Sequence, residues 1–282
     1  MKIDIARQPL VPAFMTLFAL AVAAMCAGIP VSDTSGAVRD ALPLLGGQLA
    51  RFQAAYPVWS KFAAGFMLLF TGMCAGRITI RYNLYTVGTC LPIPLYAIVA
   101  CGIAAGGNYL AGFAASMMLA LATKNYCRAF CNGYGFDAIF RASLYLGLMP
   151  LVYAPGLPML LLLPLAVLLF RRTLREVAVA TAGRLLPVFT ACYVSWGTGA
   201  EFTAPLIKLG QSAIEGMPLH LFLDIPLPAL VMAGGIVLLD LTALFFFLAD
   251  IYAAGTKPRF ILFYNIGMLI VTLAVLCRPA AT

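Results

Sequence analysis

Between Leu10 and Cys277 the chain is a succession of long apolar runs, and lysine and arginine gather in every second break between them. No other feature limits the fold as tightly. A run of about 20 apolar residues is the length that crosses a bilayer as a helix. Cations confined to alternate loops state which side each loop faces. Only 10% of the 282 residues are charged and 63% are hydrophobic, against about 25% charged in soluble domains, so a soluble domain is excluded. The net charge of +8 lies in short loops rather than on a polar face interleaved with aromatics, which argues against nucleic acid as a partner.

The pattern predicts an all-α, polytopic transmembrane bundle forming a single integral membrane domain over 1–282. The nine candidate spans are about 10–29, 56–76, 84–105, 108–123, 142–153, 157–170, 177–196, 225–249 and 259–277. The first span follows Lys2 and Arg7 and resembles a signal peptide, but its apolar part exceeds the usual 7–15 residues, so it is read as uncleaved. With the N-terminus inside, the inner loops hold Lys2, Arg7, Arg77, Arg81, Lys124, Arg128, Arg141, Arg171, Arg172, Arg175, Lys257 and Arg259. The outer segments hold only Arg39, Arg51, Lys61, Lys208 and Arg278. The bias is the positive-inside one. It predicts a multi-pass protein of an inner (cytoplasmic) membrane, N-terminus cytoplasmic and C-terminus periplasmic. Trp59 and Trp196 fall at outer span ends, where an aromatic belt is expected.

Within this plan, 142–170 is broken by Pro150, Pro155 and Pro158 and reads as two short helices meeting near Pro155. The outer segments are 30–55 and 197–224. Inside them, 38–52 and 206–215 each place apolar residues on one helical face and charges on the other, as interfacial helices do. Residues 124–141 read as a cytoplasmic interfacial segment with a turn at Asn132-Gly133-Tyr134-Gly135. Gly72 and Gly76 have the spacing of a small-residue helix-packing motif.

Eight cysteines and one histidine, His220, cannot complete an ordinary zinc set, so no metal centre is expected from them. Cys127 and Cys131 share a helical face, and in apolar runs such thiols act as small hydrophobes. The scarce acids are more informative. Asp33, Asp40, Glu201, Glu215 and Asp224 all fall outside, where a carboxylate could serve as a general base or hold a divalent cation, the candidate cofactor. Water-exposed loops carry the same residues for no chemical purpose. Arg184 lies inside the seventh span, about 10 Å from its inner edge, and Asp240 inside the eighth, about 14 Å from that edge. Charges in a span are expensive, and these two are read as a structural ion pair. The cluster Arg171, Arg172 and Arg175 reads as a stop signal at an inner helix end, or as a seat for anionic lipid headgroups. Walker, dinucleotide-binding, zinc-protease and serine-hydrolase motifs are absent.

One resemblance adds to this. The run Asp137-Ala-Ile-Phe-Arg-Ala-Ser-Leu-Tyr-Leu-Gly-Leu-Met-Pro-Leu-Val-Tyr-Ala-Pro, the Leu-rich stretch to Phe170, Arg171-Arg172-Thr-Leu-Arg-Glu and Ala182-Gly-Arg-Leu-Leu-Pro187 resemble an uncharacterised family of bacterial multi-pass inner-membrane proteins. The same succession is similar to the core of the type-C (GT-C) glycosyltransferases, which use polyprenyl-phosphate sugar donors. That resemblance implies an acid in the first outer loop, matched by Asp33 or Asp40, acting as base or metal ligand. It implies Lys61 or Lys208 at the lipid phosphate, and 38–52 as a juxtamembrane helix. The chain departs from the pattern in its short length, in lacking a soluble C-terminal domain and in having no paired acids in the first outer loop. Three functional classes stay open: a GT-C-like protein for lipid-linked sugars, a non-catalytic scaffold with membrane-protein partners, and a small transporter.

Overall fold

The computed structural model describes residues 10–26, 44–81, 90–104, 109–131, 135–153, 157 and 173–215, with scattered positions between 231 and 270; side chains at 24, 101–104, 131 and 212–215 are not among those described. Among the described residues the fold is all-helical: α1 (Leu10–Cys26), α2 (Leu44–Ala55), α3 (Pro57–Arg81), α4 (Pro92–Ala104), α5 (Tyr109–Cys131), α6 (Phe136–Val152), α7 (Leu174–Gly197) and α8 (Ala204–Glu215). Two of them, α3 and α7, are long and apolar enough to cross a membrane. At 1.5 Å per residue they extend about 37 and 36 Å.

The helices outrun the apolar stretches that announce them. α3 continues past 76 to carry Arg77 and Arg81, and α5 passes 123 to carry Lys124 and Arg128 before ending at Cys131. The segment expected at 124–141 as an interfacial unit therefore includes the end of α5 and the start of α6, while the expected turn at 132–134 lies outside the described residues. Long cationic side chains favour helix and can bend their charges away from an apolar layer, so a helix need not stop where its apolar run does. α6 likewise continues through Pro150, ending where the Tyr153 N–H donates to the Met149 carbonyl at 2.8 Å. The amphipathic helix expected at 38–52 is described from Leu44, one residue after Pro43, to Ala55.

Small residues set the packing. Glycine lets a neighbouring helix approach closely enough for extensive van der Waals contact. On α3, a Cβ at Gly65 would collide with the Met25 side chain, one at Gly72 would lie 2.7 Å from Leu17 Cδ1, and one at Gly76 would collide with Ile93. α1 and α4 thus press side chains into the glycine notches of α3, and both run antiparallel to it. α5 runs parallel to α3. Its first residue, Tyr109, shares a buried hydrogen bond with Ser60 near the start of α3, and further along the Cys74 thiol donates to the Ala120 carbonyl at 3.9 Å. α6 turns back along α5, burying Ala138, Ile139, Ala142, Leu146 and Met149 with Ala122, Tyr126 and Ala129.

The tightest crossing joins α6 to α7. A Cβ at Gly147 would stand 2.5 Å from the Arg184 carbonyl oxygen, and one at Gly183 would stand 2.9 Å from that of Phe140. Pro187 adds to this site, because its missing N–H removes the helical donor to the Gly183 carbonyl. Ala180 clusters with Ala138 and Ile139 while Arg184 meets Gly147, so α6 and α7 run parallel.

These directions sort the charges. The end where α3 and α5 finish and α6 and α7 begin carries Arg77, Arg81, Lys124, Arg128, Arg141 and Arg175. The opposite end carries Arg51, Lys61 and Lys208 with the exposed Trp59 and Trp196. There α8 touches α2, so the two amphipathic helices come together.

Candidate functional site

The residues singled out for chemistry divide by location. Asp33, Asp40, Arg171, Arg172, His220, Asp224 and Asp240 lie outside the described residues. Lys61 is half-buried near the start of α3, and Lys208 is exposed on α8. Both belong to the end where α2 and α8 meet, as does Glu201, which is exposed just before α8. The Leu110 N–H donates to Gln53 Oε1 at 3.3 Å and fastens α2 to α5 there. Among the described residues no group of three His, Cys, Asp or Glu is placed to hold a metal ion.

Arg184 is half-buried in α7. Its Nε donates to the Ala180 carbonyl at 3.3 Å and its Nη2 to Thr181 Oγ1 at 3.2 Å. The side chain therefore folds back toward the start of its own helix and satisfies part of its donor fork within one turn. The expected pairing with Asp240 falls on a residue outside the described ones.

Arg175 is exposed, but its neighbour Glu176 is buried, with 3% of its surface accessible. Glu176 Oε2 accepts from the Thr173 N–H at 3.2 Å, one half of a capping box at the start of α7. A Thr-x-x-Glu pattern was visible inside the basic cluster and marks a helix start as much as a charge patch.

A cavity among the described helices lies at the cation-rich end. It holds about 610 Å³ between α1, α3, α4 and α5, within the range of small-molecule pockets. Leu10, Phe70, Met73, Ile80 and Ile93 give it an apolar wall. Arg77, Arg81 and Lys124 also line it, and among the described residues no acid does. Arg77 and Arg81 stand one turn apart on α3, and Lys124 comes from α5 because α3 and α5 are parallel and locked by the Cys74–Ala120 contact. The first two read by sequence as cations of one inner loop. The third could not be read, since nothing local ties residue 124 to residue 77.

The arrangement can hold an anion beside an apolar body. Arg77 and Arg81 are exposed and Lys124 is half-buried, and guanidinium groups favour phosphate and carboxylate geometry. The Cys74 thiol lines the same cavity beside them. No family model matches the chain, and no curated protein or solved structure matches it either.

Proposed function

We propose that the chain is a multi-pass bacterial inner-membrane protein, N-terminus cytoplasmic and C-terminus periplasmic, that binds or acts on polyprenyl-phosphate-linked sugars at its periplasmic face. The observation that carries the membrane part is the sorting of charge by helix direction. Cations collect at one end of the bundle and exposed tryptophans at the other, as the positive-inside bias and the aromatic belt require. The functional part is supported by the meeting of α2 and α8 at the tryptophan end. An amphipathic helix in the first outer loop, packed beside the later outer segment, is where the GT-C resemblance puts donor binding. In this reading Lys61 and Lys208 receive the lipid phosphate, and Asp33 or Asp40 takes the acceptor proton or holds a divalent cation.

Purification of the full chain in mild detergent, with mass spectrometry of the bound lipids, tests it. Wild type should carry a polyprenyl phosphate species, and Lys61→Gln with Lys208→Gln should lose it. Asp33→Asn and Asp40→Asn should leave it bound. A stoichiometric membrane-protein partner with no polyprenyl phosphate would instead establish the non-catalytic subunit.

A further inference from the structure

We infer that the cavity between α1, α3, α4 and α5 is a second lipid site, at the opposite end from the proposed sugar-lipid face. It takes the phosphate-bearing headgroup of an anionic phospholipid. The inference rests on the reading of α3 as membrane-spanning and on nothing else in the proposed function.

Three observations converge on it. The first is the charge set. Arg77 and Arg81 are like charges at i, i+4, a spacing that destabilises a helix, and Lys124 adds a third cation, with no carboxylate among the described lining residues. Elsewhere at the same end the cations are handled differently: Arg141 Nε donates to Asp137 Oδ1 at 2.9 Å. A bound anion would offset the repulsion among the other three.

The second is the apolar wall, which offers a free inorganic anion nothing but suits an amphiphile. The third is the outer face of α3. Trp59, Phe62, Phe66, Phe70 and Met73 are all exposed and follow one another at three- and four-residue steps. Phe66 and Phe70 stack with centroids 6.3 Å apart. The stripe enters the cavity at Phe70 and Met73 and reaches Arg77 one turn later. An acyl chain lying along the stripe therefore delivers its phosphate to the cations without leaving α3.

Titration of the purified full chain with fluorescent phosphatidylglycerol and with fluorescent phosphatidylcholine tests the site. Wild type should prefer the anionic lipid at least about tenfold, and an equal concentration of inorganic phosphate should not displace it. At roughly fivefold per cation, Arg77→Gln/Arg81→Gln/Lys124→Gln should weaken phosphatidylglycerol binding about 100-fold and leave phosphatidylcholine unchanged. Met73→Trp keeps every charge but narrows the cavity where the stripe enters it. It should also abolish the preference, which decides the matter if the triple variant fails to fold. Arg51→Gln, at the other end of the bundle, should bind as wild type. Wild-type affinity in the Met73→Trp or the folded triple variant would overturn the site, and displacement by inorganic phosphate would overturn its assignment to a lipid. Alkaline carbonate extraction separates the premises: release of the chain from membranes would sink the membrane reading, whereas a retained chain with unaltered affinity sinks the site alone.

Discussion

Glycines bring helices together in two regions of this bundle, and the neighbours they meet differ in kind. On α3, Gly65, Gly72 and Gly76 receive the side chains of Met25, Leu17 and Ile93. Between α6 and α7, Gly147 and Gly183 meet the main chain of the facing helix at the Arg184 and Phe140 carbonyls. A side chain can change rotamer or shift its tip, while a main-chain carbonyl moves only with its helix. The first contact is therefore adjustable and the second rigid. A small-residue motif announces a close approach; its tolerance depends on what approaches.

The largest effect should come from Gly147→Val. The new Cβ would stand 2.5 Å from a carbonyl oxygen, so α6 and α7 must part, at or above the usual 1–3 kcal/mol of overpacking. Monodisperse protein from detergent size-exclusion chromatography should fall several-fold or vanish. Gly183→Ala should follow, lowering thermal stability by about 2 kcal/mol, because the Phe140 carbonyl and Ser143 Cβ both stand 2.9 Å from the added atom. Gly76→Ala should cost about 1 kcal/mol, and Ile93→Val in the same chain should recover part of the loss. A thermal-unfolding double-mutant cycle would measure that coupling. If truncating side chains around Gly147 rescued a substitution there equally well, the distinction between the two regions would collapse. Smallest of all should be Tyr109→Phe, which removes the hydrogen bond to Ser60 while Ser60 still donates to the Pro57 carbonyl, and should cost about 1 kcal/mol or less.

The sequence reveals this contrast only in part. Gly72 and Gly76 stand out by spacing alone, and α3 and α7 by length and apolarity. Helix ends were less legible: Arg77, Arg81 and Lys124 read as loop cations because hydropathy registers charge and not helix propensity, yet all three are helical. At the α6–α7 crossing, Gly147 and Gly183 meet partners some forty residues away in sequence, and no local signal joins them. The cavity was hidden for the same reason, since its charge set depends on α3 and α5 running in parallel. Asp33 and Asp40, which sequence reasoning put first, lie outside the described residues.

The cysteines dispersed through these helices give the chain a built-in reporter of its own loosening. Cys26 is exposed, whereas Cys74, Cys90, Cys127 and Cys192 are buried, and all five are free thiols. Cys74 and Cys127 lie in the α3–α5 contact, Cys90 beside α1 and α4, and Cys192 in α7. The order in which a thiol-reactive dye reaches them on warming therefore records which helices separate first, with no engineered label and with Cys26 as the zero of the scale.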